Sequence, residues 1–108
     1  MTEKHERLGE LLNEWSKLIT ELTVKEKRLT ELKDIIFEKE QHIINETDFK
    51  KTYGKNNADV RKLHLKRLMK NEYLERKELE LSIDWINRRV TYLKELIRTK
   101  RLLIEIRE

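Results

Sequence analysis

The chain has 108 residues, of which 43% are charged and 37% hydrophobic, and its net charge is +4. It contains two glycines, no proline and no cysteine, which excludes disulfides and thiolate metal sites. This composition is typical of long helices and coiled coils, and no apolar run approaches the roughly 18 residues of a membrane span.

The polar, acidic N-terminus lacks the pattern of a signal peptide, so we expect a cytoplasmic protein without a membrane partner. The first predicted helix spans about residues 3–46 and carries a heptad repeat that only Lys25 and Lys39 interrupt. Its stripe comprises Leu8, Leu11, Trp15, Leu18, Leu22, Lys25, Leu29, Leu32, Ile36, Lys39 and Ile43. Such a repeat keeps one face of a helix against a partner helix. We expect both lysines to place their amines at the edge of this seam.

A basic hinge is predicted at about residues 47–57, where Gly54 and the pair Asn56 and Asn57 permit a turn. Between residues 50 and 70 there are eight Lys or Arg residues and a single acid, Asp59. The turn lets a second helix return along the first. The sequence therefore predicts one all-α domain over residues 1–108, a long antiparallel, coiled-coil-like helical hairpin. The alternative is a pair of splayed helices that exchange partners between chains.

The second predicted helix spans about residues 58–107 and carries two apolar stripes. Its main stripe comprises Leu65, Met69, Leu79, Ile83, Ile86, Val90, Leu93, Ile97 and Ile104. Glu72, Arg76 and Lys100 interrupt this stripe, which predicts weaker packing or a change of register. Trp15 in the first helix and Trp85 in the second lie at stripe positions, and we expect them to anchor the core.

A second stripe lies roughly 100–160° away around the same helix. Its members are Leu74, Leu81, Trp85, Tyr92, Leu96 and Leu103. One antiparallel neighbour covers only one stripe, so the second predicts an oligomer interface with another copy of the chain. We therefore expect a homo-oligomer in which hairpins associate into a helical bundle. A partly exposed face is the alternative.

No constellation of catalytic residues is recognisable. His5, His42 and His64 are far apart in sequence, and no glycine-rich phosphate loop is present. We expect a protein that is not an enzyme and that has no metal site and no cofactor.

The basic hinge and the start of the second helix predict contact with nucleic acid. Clustered cations bind phosphate backbones through counterion release, and aromatic rings stack on single-stranded bases. The predicted phosphate contacts are Lys50, Lys51, Lys55, Arg61, Lys62, Lys66 and Arg67, with Tyr53 and Phe49 as candidate stacking groups. The alternative is a solubilising hinge whose rings pack over the end of the hairpin. A later basic cluster around Arg88 and Arg89 is expected to pair with acids of the first helix.

The stretches TYGKNNADVRKLHLKRL and LSIDWINRRVTYLKELIRTKR, within about residues 52–101, resemble small helical accessory proteins of tailed bacteriophages and prophages. Such proteins are often encoded near replication and recombination genes. They include recombination mediators, which load a recombinase on single strands. The resemblance implies a phage or mobile-element accessory protein that contacts single-stranded DNA during recombination or replication in a bacterial host cell.

Two other functions stay open. A phage-encoded inhibitor could bind a host nuclease, a CRISPR or other defence enzyme, or another DNA-processing protein of host or phage. That function favours an exposed acidic face, and the first helix offers Glu3, Glu6, Glu10, Glu14 and Glu21. A purely structural coiled coil that joins subunits is the third function.

Overall fold

A computed structural model describes residues 2–45 and 58–107 of the chain. These residues form three α-helices and no strand, so the all-α prediction is confirmed. Helix α1 spans Thr2–Asn45, α2 spans Ala58–Leu68 and α3 spans Lys70–Arg107. The hinge predicted at residues 47–57 lies outside the described residues.

Helices α2 and α3 occupy the stretch for which the sequence predicts one helix. Met69 alone separates them, yet helical hydrogen bonding continues through it. The amide of Met69 donates to the carbonyl of Leu65 at 2.7 Å, and the amide of Tyr73 donates to the carbonyl of Met69 at 2.9 Å. Since both bonds have the i to i−4 spacing of an α-helix, Met69 marks a local irregularity in an otherwise helical path.

The chain contacts divide into two compact units, and α1 packs against α3 in each. The first unit comprises residues 2–26 and 81–107. Its core consists of Leu18 from α1 with Ile86 and Leu93 from α3. Leu11, Leu22 and Val90 are partly buried around this core. The hydrogen-bonded pairs Glu14 with Arg89 and Lys25 with Ser82 show that the two helices run antiparallel here.

The second unit comprises residues 27–45 and 58–80. Its core consists of Leu32 and Ile36 from α1 with Met69, each at most 2% exposed. Ile43, Tyr73 and Leu79 are partly buried against it. The pairs Arg28 with Glu75 and Lys39 with Glu72 again run in opposite directions along the two helices. Both units therefore confirm the predicted antiparallel hairpin.

The core of both units follows the predicted stripes. The buried hydrophobic side chains of the described residues are Leu18, Leu32, Ile36, Met69, Ile86, Leu93 and Ile97. The α1 members all belong to the heptad, and the others all belong to the main stripe of the second predicted helix. A seam of this kind forms because the heptad returns a side chain to the same face on every second turn.

Polar residues that interrupt one stripe meet polar residues of the facing helix. The Lys39 amine donates to Glu72 at 2.7 Å, so an interruption in the heptad of α1 faces one in the main stripe of α3. The Lys25 amine donates to the Ser82 hydroxyl and pairs with Glu21 at 3.1 Å. Both amines therefore sit at the edge of the seam, as expected, and the interruption at Lys39 faces the one at Glu72.

The two tryptophans correct the prediction that both anchor the core. Trp15 lies at the edge of the seam with about a third of its surface exposed, and Trp85 is 61% exposed. Trp85 belongs to the second stripe of α3, which α1 does not cover. The prediction was wrong because an apolar stripe position does not by itself bury a side chain between the two helices.

None of the described helices combines the length and the apolar character that crossing a membrane requires.

Candidate nucleic-acid interface

Four of the predicted phosphate contacts lie on α2, namely Arg61, Lys62, Lys66 and Arg67. The other predicted contacts lie outside the described residues; they are Lys50, Lys51, Lys55, Tyr53 and Phe49. The described part of the candidate interface is therefore a single short helix in the second unit.

Helix α2 presents three of its four Lys and Arg side chains to solvent. Lys62, Lys66 and Arg67 are exposed, whereas Arg61 is partly buried. Lys62 and Lys66 are separated by four residues, which corresponds to about 6 Å along a helix axis. Lys70, at the start of α3, is also exposed and follows Lys66 by another four residues. The exposed amines thus succeed one another about one helical turn apart.

No carboxylate of the described segments pairs with Lys62, Lys66 or Arg67. A cation without a carboxylate partner keeps its full charge for an external anion. Clustered charges of this kind attract a phosphate backbone, since binding releases the counterions condensed on the nucleic acid. The electrostatic character of α2 therefore suits a polyanion.

Cations at the seam differ, because carboxylates of the facing helix pair with them. Arg28 donates two bonds to Glu75, at 2.9 Å from Nε to Oε1 and 3.1 Å from Nη2 to Oε2. This fork-to-fork geometry fixes the relative position of two planar groups. Arg89 donates from Nε to Glu14 at 3.0 Å. These arginines bridge α1 and α3 and are therefore less available for phosphate than the exposed cations of α2.

The later basic cluster divides between two kinds of pair. Arg89 pairs with Glu14 of α1, as predicted for this cluster. Arg88 instead pairs with Asp84 of its own helix, at 2.9 Å from Nη2 to Oδ2. Pairs four residues apart on one helix are worth only a few tenths of a kcal/mol. The contribution of Arg88 to the hairpin is therefore small.

Two ionisable groups of the second unit have shifted pKa values. The hydrogen bond from Lys39 holds the pKa of the Glu72 carboxyl below its usual range, and the Glu72 backbone and the Lys39 charge act in the same direction. Burial raises the pKa of the Tyr73 hydroxyl, and the Glu40 carboxylate raises it further. The Arg76 guanidinium lies 5.0 Å from the centre of the Tyr73 ring, within reach of a cation–π contact.

A groove in the first unit brings together side chains that the sequence analysis did not associate. It has a volume of about 510 Å³, and Leu12, Trp15 and Ile97 contribute apolar surface to it. Lys94, Arg98 and Arg101 provide cations, and Glu95 and Glu105 also line it. The spacing of four and three residues between the cations was the available signal, since it places them on one helix face. The nearness of Trp15 could not be read from that spacing.

The residues of the predicted oligomer interface are accessible in the single chain. Leu96 is partly buried, and the others are exposed; they are Leu74, Leu81, Trp85, Tyr92 and Leu103. The Arg89 guanidinium lies 5.2 Å from the centre of the Tyr92 ring. The second stripe therefore faces away from α1.

The acidic residues proposed for an inhibitor are partly engaged within the hairpin. Glu14 pairs with Arg89, Glu21 pairs with Lys25, and Glu10 is exposed. The side chains of Glu3 and Glu6 lie outside the description. Within the described ranges, no group of three His, Asp or Glu side chains is arranged to hold a metal ion.

A comparison of the chain with protein-family models, with curated proteins and with solved structures found no match.

Proposed function

We propose that this chain is a non-enzymatic accessory protein that contacts DNA, preferentially single-stranded, through α2 and the adjoining basic hinge. The observation that supports the proposal is the contrast between two sets of cations. Lys62, Lys66 and Arg67 are exposed and have no carboxylate partner among the described residues, whereas Arg28 and Arg89 are paired across the seam. The exposed set is therefore available to phosphates without disrupting the hairpin.

The preference for single strands rests on the hinge rather than on α2. Phosphate contacts alone provide affinity without discriminating between nucleic acids. Stacking of an unpaired base on Tyr53 or Phe49 would supply the preference, because every base offers a flat face to an aromatic ring. The biological setting, recombination or replication of a phage or mobile element in a bacterial cell, rests on the resemblance of residues 52–101 to phage accessory proteins.

The experiment compares two triple variants that remove the same charge from the second unit. Lys62→Gln/Lys66→Gln/Arg67→Gln removes three of the proposed contacts, those of the exposed cations of α2. Lys27→Gln/Lys33→Gln/Lys77→Gln is the matched control, since these lysines are also exposed and lie elsewhere in that unit. Binding of a fluorescent single-stranded oligonucleotide is measured by anisotropy over a range of salt concentrations.

For wild type, the logarithm of the binding constant should fall linearly with the logarithm of salt concentration, with a slope of about −0.7 per phosphate contact. The α2 variant should lose three contacts, so its slope should be shallower by about 2. The control should retain most of the wild-type slope and affinity. Circular dichroism should show the same helicity for all three proteins, because none of these side chains lies in either core.

Wild-type protein that ignores DNA at low salt would exclude the proposal, as would a control that weakens binding as much as the α2 variant. In the first case, the inhibitor or the structural coiled coil becomes the leading function. Pull-down of a DNA-processing enzyme by the wild-type protein would then separate these two.

A further inference from the structure

The outward face of α3 in the first unit carries an apolar stripe that the described residues of the chain leave largely uncovered. We call this set of four residues the outer stripe; its members are Leu81, Trp85, Tyr92 and Leu96. Leu81, Trp85 and Tyr92 are 58%, 61% and 55% exposed. At 100° per residue all four lie within about 60° of one another around the helix. Large aromatic side chains on so narrow a stripe are typical of protein interfaces rather than of a solvated face.

The outer stripe and the seam of α3 follow different repeats. In the seam, Ile86 and Leu93 recur at seven residues, the period that suits the supercoiled packing against α1. In the outer stripe, Leu81 and Tyr92 are eleven residues apart, as are Trp85 and Leu96. Eleven residues are close to three turns of an α-helix, so each of these pairs lies on one face of α3. The outer stripe therefore occupies a face of α3 that is separate from the seam.

We propose that the outer stripe binds the outer stripe of a second copy of this chain, with the two α3 helices antiparallel. The intervals of four, seven and four residues read the same from either end, about a midpoint between Arg88 and Arg89. A two-fold axis at this midpoint sets Leu81 opposite the partner's Leu96 and Trp85 opposite the partner's Tyr92. Each apolar side chain then faces another, as a self-complementary interface requires.

The size of the exposed rings favours a second copy. Somewhat more than half of each ring is exposed, and a tryptophan or tyrosine can bury about 150–250 Å². The four rings of a symmetric pair therefore offer roughly 500 Å² of surface. The two symmetric pairs of Leu81 with the partner's Leu96, together with the flanking side chains, add further buried surface. The total buried area then approaches the roughly 1,000 Å² of a specific interface. Offset stacking between Trp85 and the partner's Tyr92 would place aromatic anchors on both sides of the axis.

The charges near the axis are already paired within each chain. The residues nearest the proposed axis are Arg88 and Arg89, which would approach the same pair in the second copy. Each already has a carboxylate partner in its own chain, Asp84 for Arg88 and Glu14 for Arg89, both at 2.9 Å. The axis thus brings together paired charges rather than four bare cations, and the repulsion between the two copies is reduced accordingly.

The first measurement is the mass in solution, in the absence of nucleic acid. Sedimentation equilibrium of the full chain should give twice the 13.3 kDa of the monomer at micromolar concentration. Leu81→Glu should shift the protein to monomer and raise the dissociation constant at least tenfold. Val24→Glu is the matched control, since Val24 belongs to the same unit, is 64% exposed and lies on α1 away from the outer stripe. It should leave the mass unchanged.

The second measurement tests the direction of pairing and needs no change in the stripe. The chain has no cysteine, so one spin label can be attached at Glu80→Cys or at Asn87→Cys, both exposed positions of α3. In the antiparallel pair, the two Glu80 sites are offset by about 25 Å along the axis and the two Asn87 sites by about 5 Å. The distance between labels should therefore be clearly longer for Glu80→Cys. In a parallel pair, both offsets vanish and the two distances match.

A monomer at every accessible concentration would overturn the proposal. So would a Leu81→Glu protein that still dimerises, or a Val24→Glu protein that dissociates equally. Equal distances for the two labels would overturn the antiparallel arrangement. Circular dichroism shows whether Leu81→Glu has unfolded. If it has, the two labelled proteins still test whether and in which direction the chains pair, because their substitutions leave both the core and the outer stripe intact.

Discussion

Leu93 and Leu81 permit a matched test of what holds the hairpin together. Both are leucines of α3 in the first unit, so replacement by alanine changes helix propensity by the same small amount. Leu93 is 0% exposed and packs with Leu18 and Ile86, whereas Leu81 is 58% exposed. The difference between the two variants therefore reports burial at the seam.

The expected magnitudes differ severalfold. Truncation of a buried leucine costs about 2–5 kcal/mol, through lost transfer free energy and the cavity left behind. We expect about 3 kcal/mol for Leu93→Ala, because partly buried neighbours such as Leu22 and Val90 can move into part of the space. Leu81→Ala in the monomer should cost no more than about 0.5 kcal/mol, the range for surface substitutions.

Urea denaturation followed by circular dichroism gives both free energies of unfolding, provided that the dependence on urea is the same for all proteins. The measurement should be repeated over a hundredfold range of protein concentration. The cost of Leu93→Ala should be independent of concentration. The cost of Leu81→Ala should grow with concentration, because self-association stabilises only the chains that can pair. Equal costs for the two variants at low concentration would refute the assignment of the seam.

Two further predictions concern single residues. Gly9→Ala should stabilise the protein by about 0.5–1 kcal/mol in thermal unfolding, because Gly9 lies within α1 and an added Cβ meets nothing within 4 Å; a loss of stability would mean that the backbone there requires glycine. The ionised Glu72 carboxylate has a pKa lowered by Lys39, so its stabilising effect is complete above pH 4.5 and is lost as pH falls through the folded-state pKa. Glu72→Gln should therefore lower the melting temperature slightly at pH 7. The difference in melting temperature from wild type should shrink below pH 4.5. A difference that stays constant with pH would exclude a role for the Glu72 charge.

The seam was predictable because the heptad records burial directly. Most side chains at heptad positions face the partner helix, so the spacing alone assigned Leu32, Ile86 and Leu93 correctly to the core. Trp15, at another heptad position, is nevertheless exposed. The same logic identified Lys39 as a polar position at the seam. It could not identify the partner of Lys39, because which α3 residue lies opposite depends on the length and path of the connection between the helices.

Contacts that depend on the relative rotation and register of two helices were not predictable. The groove beside Trp15 joins residues of α1 to Lys94, Arg98 and Arg101 of α3, which are about 80 residues away in sequence. The irregularity at Met69 could not be predicted either, because no glycine or proline lies near it in the sequence. Arg88 and Arg89 are adjacent in sequence and of the same type, yet one pairs within its helix and the other across the seam. Their directions differ by about 100° around the helix, and only the fold decides which direction meets α1.

Arg89 contacts residues on two faces of α3, one at the seam and one in the outer stripe. The packing of α1 against α3 and the proposed association of two chains are therefore coupled. Its guanidinium donates to Glu14 across the seam and also lies 5.2 Å from the ring centre of Tyr92, a member of the outer stripe. At this distance the guanidinium is attracted to the face of the aromatic ring. The salt bridge that orients α1 thereby also holds the side chain against which Tyr92 rests. Packing at the seam would then pre-organise an aromatic ring for the second copy, so that less conformational entropy is lost when two chains associate.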